Sequence, residues 1–357
     1  LPLTISFQTR INNKENDIMA NVSYNLLDDY KKISKDFVLT IGNFDGLHTG
    51  HRLIIEKTLE DAKKLNATAC VISFYNKPAP LFASSYVNTQ ILPLNEKINA
   101  LCEYGFENIF LFNYNSPLKD LTAIEFLDFL KINTHIKSIT VGENFLFGKG
   151  RGGDVELIKN FFSKEKIKVN VIPLLFDNGV LISSTMIRQR ILSGDFSINK
   201  YLKNPFYIQG CVEEGKHLGR VLAFPTANIY IYDQIKPKAG VYATISLFEK
   251  DNLKFSMTHV ADLGNIETHI FDTRVDLYNR ELRVYFICFM RNNIKVSSID
   301  ELSHLLSTDE SDIKTFFNGY YRSMDGAKKY FQNITHKSDL FFEEKKTFGS
   351  FHGRTEC

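Results

Sequence analysis

Phe37-Val38-Leu39-Thr40-Ile41-Gly42-Asn43-Phe44-Asp45-Gly46-Leu47-His48-Thr49-Gly50-His51 carries the sense of the whole first half of this chain. Its first five residues are apolar or β-branched and carry no charge, as in a strand buried on both faces. A glycine-rich turn follows. Beyond it Ile55, Leu59, Ala62 and Leu65 fall at helical spacing, with Glu, Asp and Lys between them. A buried strand, a tight turn and an amphipathic helix in that order form the opening unit of a parallel βα fold.

The pattern continues outward. Ala69 to Phe74, Ile109-Phe110-Leu111-Phe112, Ile139-Thr140-Val141 and Val169-Asn170-Val171-Ile172 read as further strands. Helical stretches lie between them, for example Ala123, Phe126, Leu127 and Leu130 on one face. This predicts a doubly wound α/β domain whose ligands sit at the carboxyl ends of its strands. The texture changes after Lys203. Tyr207 to Val212, Val241 to Leu247, Phe255 to Val260, Glu267 to Phe271 and Leu282 to Cys288 are β-type runs punctuated by Gly, Pro, Asn and Asp. No helical stretch intervenes, so an antiparallel barrel or sandwich is expected. Ser298 to Phe317 then reads as a helix with Leu302, Leu305 and Leu306 on its apolar stripe. The expected divisions are an N-terminal extension over 1–35, the α/β domain over 36–192, a linker over 193–204, the β domain over 205–325 and a tail over 326–357.

Composition limits the options. A chain of 357 residues suggests two domains, and 44% hydrophobic with 24% charged residues is a globular balance. Lys and Arg total 43 against 41 Asp and Glu, and no basic block appears, so no nucleic-acid partner is expected. The five scattered cysteines form no CxxC, which argues against a disulfide framework or structural zinc and fits a reducing compartment. The N-terminus lacks the layout of a secretory signal and no apolar run approaches a membrane span, so a cytoplasmic location is expected. Oligomeric state is not legible in the sequence.

The chemistry concentrates in two places. In the first, Gly42, Asn43, Phe44 and Gly50 belong to a turn that lets backbone pass close to a ligand. The helix behind it offers unpaired N–H groups and the positive end of its dipole. His48 and His51, three residues apart at that entrance, can both donate to phosphate oxygens. Paired histidines also bind zinc, but no Cys or carboxylate stands at ligand spacing. Further on, Ser184, Thr185 and Arg188 in Ile182-Ser183-Ser184-Thr185-Met186-Ile187-Arg188 precede or open another helix. Taken alone the Ser-Ser-Thr run is a helix cap; after the first motif it reads as the second jaw of one phosphate site.

The second place is Gly215-Lys216-His217-Leu218-Gly219-Arg220-Val221-Leu222-Ala223-Phe224-Pro225-Thr226-Ala227-Asn228. Gly215, Gly219 and Arg220 suit a nucleotide loop, and Thr226 and Asn228 offer oxygens of the kind Mg²⁺ favours. A hairpin loop closed by a rigid Phe-Pro turn is the plain alternative.

GNFDGLHTGH, SFYNKPAP, VGENFLFGKGRGGD and ISSTMIR, in that order, resemble the adenylyltransferase module of bacterial bifunctional riboflavin kinase/FAD synthetases. GRVLAFPTAN and Gly240-Val241-Tyr242-Ala243 resemble the riboflavin kinase signature of the same family. The resemblance covers Asp36 to Phe317. It implies a nucleotidyltransferase domain followed by a β-barrel, with ATP, riboflavin, FMN and FAD as substrates or products and Mg²⁺ as cofactor. It assigns His48, His51, Ser184, Thr185 and Arg188 to the ATP phosphates and Asn144 to the nucleotide and flavin. It also assigns Glu267 as general base toward the riboflavin 5′-hydroxyl and Arg291 to a flavin-side segment. The chain departs from the family in three respects. The loop before Glu267 is shortened to Ala261-Asp262-Leu263-Gly264-Asn265-Ile266, Ala223 replaces a glycine, and Val296 stands where an aromatic is usual. Three functions follow: a bifunctional enzyme, an adenylyltransferase with an inactive kinase-like barrel, or a catalytically silent flavin-binding protein.

Overall fold

A computed structural model describes residues 6–13, 16–24, 26–75, 90–113, 117–214, 224–231, 233–249, 252–273 and 275–323. The chain divides into two compact units, Leu1–Met186 and Ile187–Cys357.

The first unit is built on a sheet of β1 (Ser6–Asn13), β2 (Asn16–Ser23), β3 (Phe37–Ile41), β4 (Thr68–Tyr75), β5 (Asn108–Asn113), β6 (Ile136–Gly142) and β7 (Lys168–Ile172). The spatial order is β1-β2-β5-β4-β3-β6-β7. Every pairing is parallel except β1 with β2, which adds one antiparallel strand at the edge. Residues 1–35, expected as an extension, thus contribute two strands to this sheet. Helices α1 (Leu26–Lys31), α2 (Thr49–Leu65), α3 (Leu94–Tyr104), α4 (Ala123–Lys131) and α5 (Val155–Phe162) connect the strands.

Central β3 is buried along its whole length, as its uncharged sequence requires. Its one polar side chain, Thr40, donates to the Thr140 carbonyl at 2.8 Å, so the buried hydroxyl is satisfied. Helix α2 ends where Asn66 adopts a left-handed conformation and its N–H caps the Ala62 and Lys63 carbonyls. Asp61 fastens that helix to the sheet: it accepts from Lys57 at 2.8 Å and from Asn170 on β7 at 2.7 Å. Burial pushes its carboxyl pKa up, but those hydrogen bonds and the charges of Lys168 and Lys57 outweigh it, and the net shift is downward. Cys70 lies wholly inside the core, where burial raises its thiol pKa and keeps it an inert packing residue.

Strand order runs in one direction from β3 to β4 and β5 and in the other from β3 to β6 and β7. The switch therefore lies between β3 and β6, where the crevice at the carboxyl ends receives ligands in such folds. A short hairpin, β8 (Phe176–Asp177) with β9 (Val180–Leu181), leads from β7 into α6 (Ser184–Ser193), within which the division between the units falls.

In the second unit β10 (Tyr207–Glu213), β11 (Ala227–Tyr230), β12 (Gly240–Phe248), β13 (Asn252–Val260), β14 (Ile266–Ile270) and β15 (Glu281–Arg291) close a barrel in the order β10-β11-β14-β13-β12-β15. All its pairings are antiparallel. Closure settles barrel against sandwich. Ladder partners share a face, so the inward side can be read from the registers. It carries Ile229, Ile266, Val284 and Phe286 together with Thr244, Ser246, Ser256, Thr258 and Thr268, whose buried hydroxyls bond one another at 2.7 to 3.0 Å. Helix α7 (Ile299–Ser323) follows β15, longer at its C-terminal end than the stripe of leucines predicts.

Candidate active sites

The glycine turn after β3 is bent by left-handed conformations at Phe44 (φ 52°), Gly46 (φ 81°) and Leu47 (φ 42°). Bulky residues avoid that region unless their surroundings hold them there. Phe44 and Leu47 are both buried, and Asp45 supplies a clasp: its carboxylate accepts from the Ile91 N–H at 3.0 Å and the Leu92 N–H at 3.1 Å. The turn delivers His48 to the N-cap of α2, where its Nδ1 accepts from the His51 N–H at 3.4 Å. In a neutral ring an accepting Nδ1 leaves the proton on Nε2, so that nitrogen is the donor. The His51 ring stacks on that of His48 with centroids 3.7 Å apart.

Both histidines line a cavity of about 610 Å³, together with Gly42, Asn43, Phe44, Gly50, Asn144 and Ser184. Its apolar walls include Phe74, Phe112, Phe126, Phe145 and Phe147, and Lys119 and Arg151 add positive charge. Aromatic walls with a few convergent polar groups suit a ligand that is part planar ring and part phosphate. The loop after β6 contributes Asn144 and stays close to α4 because Gly148, at φ 73°, leaves no room for a Cβ, which would lie 2.6 Å from the Ala123 nitrogen. Ser183 caps α6 through the Met186 N–H at 3.2 Å, while Ser184 donates to the Asp45 carbonyl at 2.9 Å. The serine run therefore caps α6 and is also tied to the histidine turn. Thr185 is exposed and does not line the cavity, and Arg188 lies on α6 past the division between units.

Gly50 faces His48 so closely that an added Cβ would lie 3.2 Å from two atoms of the imidazole. Gly50→Ala is therefore expected to displace that ring and slow reaction at this site about tenfold or more, with the fold retained; initial rates alongside a thermal melt check it.

In the barrel, Asn228 on β11 stands in register with Glu213 on β10 and Glu267 on β14, and Glu267 in turn with His259 on β13. These four therefore share the outward face. His269 donates from Nδ1 to the Pro225 carbonyl at 2.9 Å, which ties the Phe224-Pro225-Thr226 turn to the strand that carries Glu267. The shortened stretch before Glu267 forms a tight turn, closed by the Gly264 N–H on the Ala261 carbonyl at 2.7 Å. Asn293, just past β15, fastens that turn: its amide donates to the Val260 carbonyl at 3.2 Å and to Asp262 at 3.0 Å, and its oxygen meets His259 Nε2 at 3.1 Å. Arg291 forks onto the buried Asp309 of α7 at 2.6 and 2.5 Å. Gly215, Gly219 and Arg220 lie outside the described residues.

Sequence patterns alone left out Asp45, Lys119, Arg151 and Glu213. Asp45 lies inside the quoted motif and gave a signal; Glu213 emerges only from strand register.

Residues 30–186 match a family model described as FAD synthetase, and residues 202–317 one described as riboflavin kinase. A bifunctional riboflavin kinase/FMN adenylyltransferase of Escherichia coli strain K12 is 34% identical over 289 residues, which is 78% of this chain and 92% of that protein. Its namesake in Haemophilus influenzae is 28% identical over 299 residues, 80% of this chain and 96% of the other. A crystal structure from Streptococcus pneumoniae, described as that of a macrolide-efflux protein, matches with a TM-score of 0.71 and 29% identity over 82% of this chain and 98% of its own.

Proposed function

The chain belongs to the bifunctional riboflavin kinase/FMN adenylyltransferases and acts in FAD biosynthesis, and from that premise we propose how its residues divide the work. The observation that carries the proposal is the convergence, at the switch of the first sheet, of the two histidines, the serine jaw and Asn144 on one aromatic-walled cavity.

There an oxygen of the FMN phosphate attacks the α-phosphorus of ATP. A new P–O bond forms, the bond from the α-phosphorus to the bridging oxygen breaks, and pyrophosphate leaves. Such transfer is positioning and charge neutralisation, so no covalent nucleophile is needed. His48 and His51 donate to the phosphates beside the N-terminus of α2, and Ser184 holds them from the first turn of α6. For Thr185 and Arg188, which do not line the cavity, the phosphate role rests on the family resemblance alone. Asn144 and the phenylalanines receive the flavin or the adenine. Lys119 and Arg151 supply countercharge.

In the barrel, the riboflavin 5′-hydroxyl attacks the γ-phosphorus of ATP, its proton passes to Glu267, and ADP leaves. Mg²⁺ fits here on the chemistry of the donors: Asn228, in register with Glu267, and Thr226, two residues before it, carry hard oxygens. Those two residues would hold the ion, which would neutralise phosphate charge. Gly215, Gly219 and Arg220 keep the nucleotide-binding role that their residue types suggest, and Arg291, braced by Asp309, would support the flavin side. Use of ATP as co-substrate supports the reading that the work is done in the cytoplasm.

Chromatography of flavins after incubating the protein with Mg-ATP and either riboflavin or FMN tests this. FAD is expected from both. FAD from FMN alone would confine catalysis to the first unit, and no product from either would overturn the assignment.

A further inference from the structure

Lys97 stands on the first turn of α3, and its side chain is 5% exposed. An ammonium is among the costliest groups to bury, and a retained one must be spent on good acceptors. This one donates to the Phe74 carbonyl at the end of β4, at 2.7 Å, and to the Asn43 carbonyl in the histidine turn, at 3.2 Å. Phe74 and Asn43 both line the cavity, so the charge lies directly behind its wall.

The Asn43 carbonyl fixes the peptide that leads into Phe44, which is held at φ 52°. Ser73 donates to the same carbonyl at 3.2 Å. A peptide with a bulky left-handed residue on its far side relaxes unless its plane is pinned, and pinning by a charged donor is the stronger kind. The Asp45 carboxylate that follows is gripped by the Ile91 and Leu92 N–H groups, only a few residues ahead of Lys97. One short stretch, 91–97, therefore holds the turn from behind through two backbone N–H groups and one ammonium. The Asp45 carbonyl passes that position on to Ser184.

We propose that Lys97 is a positioning residue for adenylyl transfer: it holds the strained turn so that His48 and His51 meet the phosphates in register with the serine jaw. This rests on the adenylyltransferase reading of the first unit. A misplacement of about 1 Å at a reacting centre costs on the order of 100-fold, whereas ground-state binding tolerates it better.

The test uses the full chain with Mg-ATP and FMN, rates being normalised to folded protein by thermal melt. Lys97→Met keeps the length and loses the charge. Its kcat for FAD formation is expected to fall by about 10- to 100-fold, with KM for ATP and FMN within about threefold and riboflavin phosphorylation unchanged. A purely structural lysine would lower the melting temperature and leave kcat per folded molecule as it was, and that result overturns the proposal. Should Lys97→Met fail to fold, Lys97→Gln removes the charge and leaves a neutral hydrogen-bond donor in its place. A several-fold loss of kcat there supports the proposal and a wild-type value overturns it. Absence of FAD with the wild-type chain would overturn the adenylyltransferase reading and this inference with it, whereas an active wild type with an equally active variant overturns this inference alone.

Discussion

His51→Ala is expected to abolish FAD formation from FMN while riboflavin phosphorylation continues at the wild-type rate. The imidazole lines the cavity on the first turn of α2, stacked on His48 at 3.7 Å, where the helix dipole already favours an anion. Loss of one preorganised donor to developing charge costs about 10²- to 10³-fold in kcat, and more when the donor also supports its neighbour. The helix itself survives the change. His48 caps α2 by accepting from the backbone N–H of residue 51, which alanine retains, and Asp61 still fastens the helix to β7. Initial rates with riboflavin and FMN supplied separately decide the matter. Loss of both activities in a folded protein would contradict separate sites.

The second large effect is expected in the barrel. Glu267→Ala should lower FMN production from riboflavin by about 10²- to 10⁴-fold, the range a general base contributes, and leave FMN adenylylation intact. Glu267 is half-buried on the outward face of β14, and its neighbours Ile266 and Thr268 point into the barrel and keep their packing. Stability should therefore change little. Unchanged phosphorylation would remove Glu267 from the role of base and turn attention to Glu213, which flanks Asn228 on the other side. The short turn before Glu267 bears directly on this experiment. Where the family carries a longer loop, this chain has a tight hairpin tied by Asn293 to His259, Val260 and Asp262, so the end of the barrel beside Glu267 is held in place by other means.

Much of the fold was legible because its signals are local. The uncharged run Phe37 to Ile41 and the helical spacing from Ile55 to Leu65 each express burial of neighbouring side chains, and β3 and α2 form there. The β-type runs after Lys203 likewise became strands. Other elements carried no such pattern. Ala227 to Tyr230 is only four residues long and follows a Phe-Pro turn, yet it closes the barrel because β10 and β14 pair with it on either side. Strands β1 and β2 were passed over because polar residues predominate in Ser6 to Ser23, and their place depends on the pairing of β2 with β5.

For the candidate sites, sequence alone singled out the polar groups to which the proposal gives roles. The turn with its paired histidines, the Ser-Ser-Thr run and the Phe-Pro-Thr-Ala-Asn stretch owe their meaning to residue type and short-range order, which need no distant partner. Tertiary structure alone decided what holds those groups. Lys97 reaches Asn43 across 54 residues and Ser184 reaches Asp45 across 139, and Asn293 grips a hairpin more than thirty positions earlier in the chain. A hydrogen bond acts over about 3 Å of space and takes no account of separation along the chain, so supporting contacts of this kind leave no periodic trace in sequence.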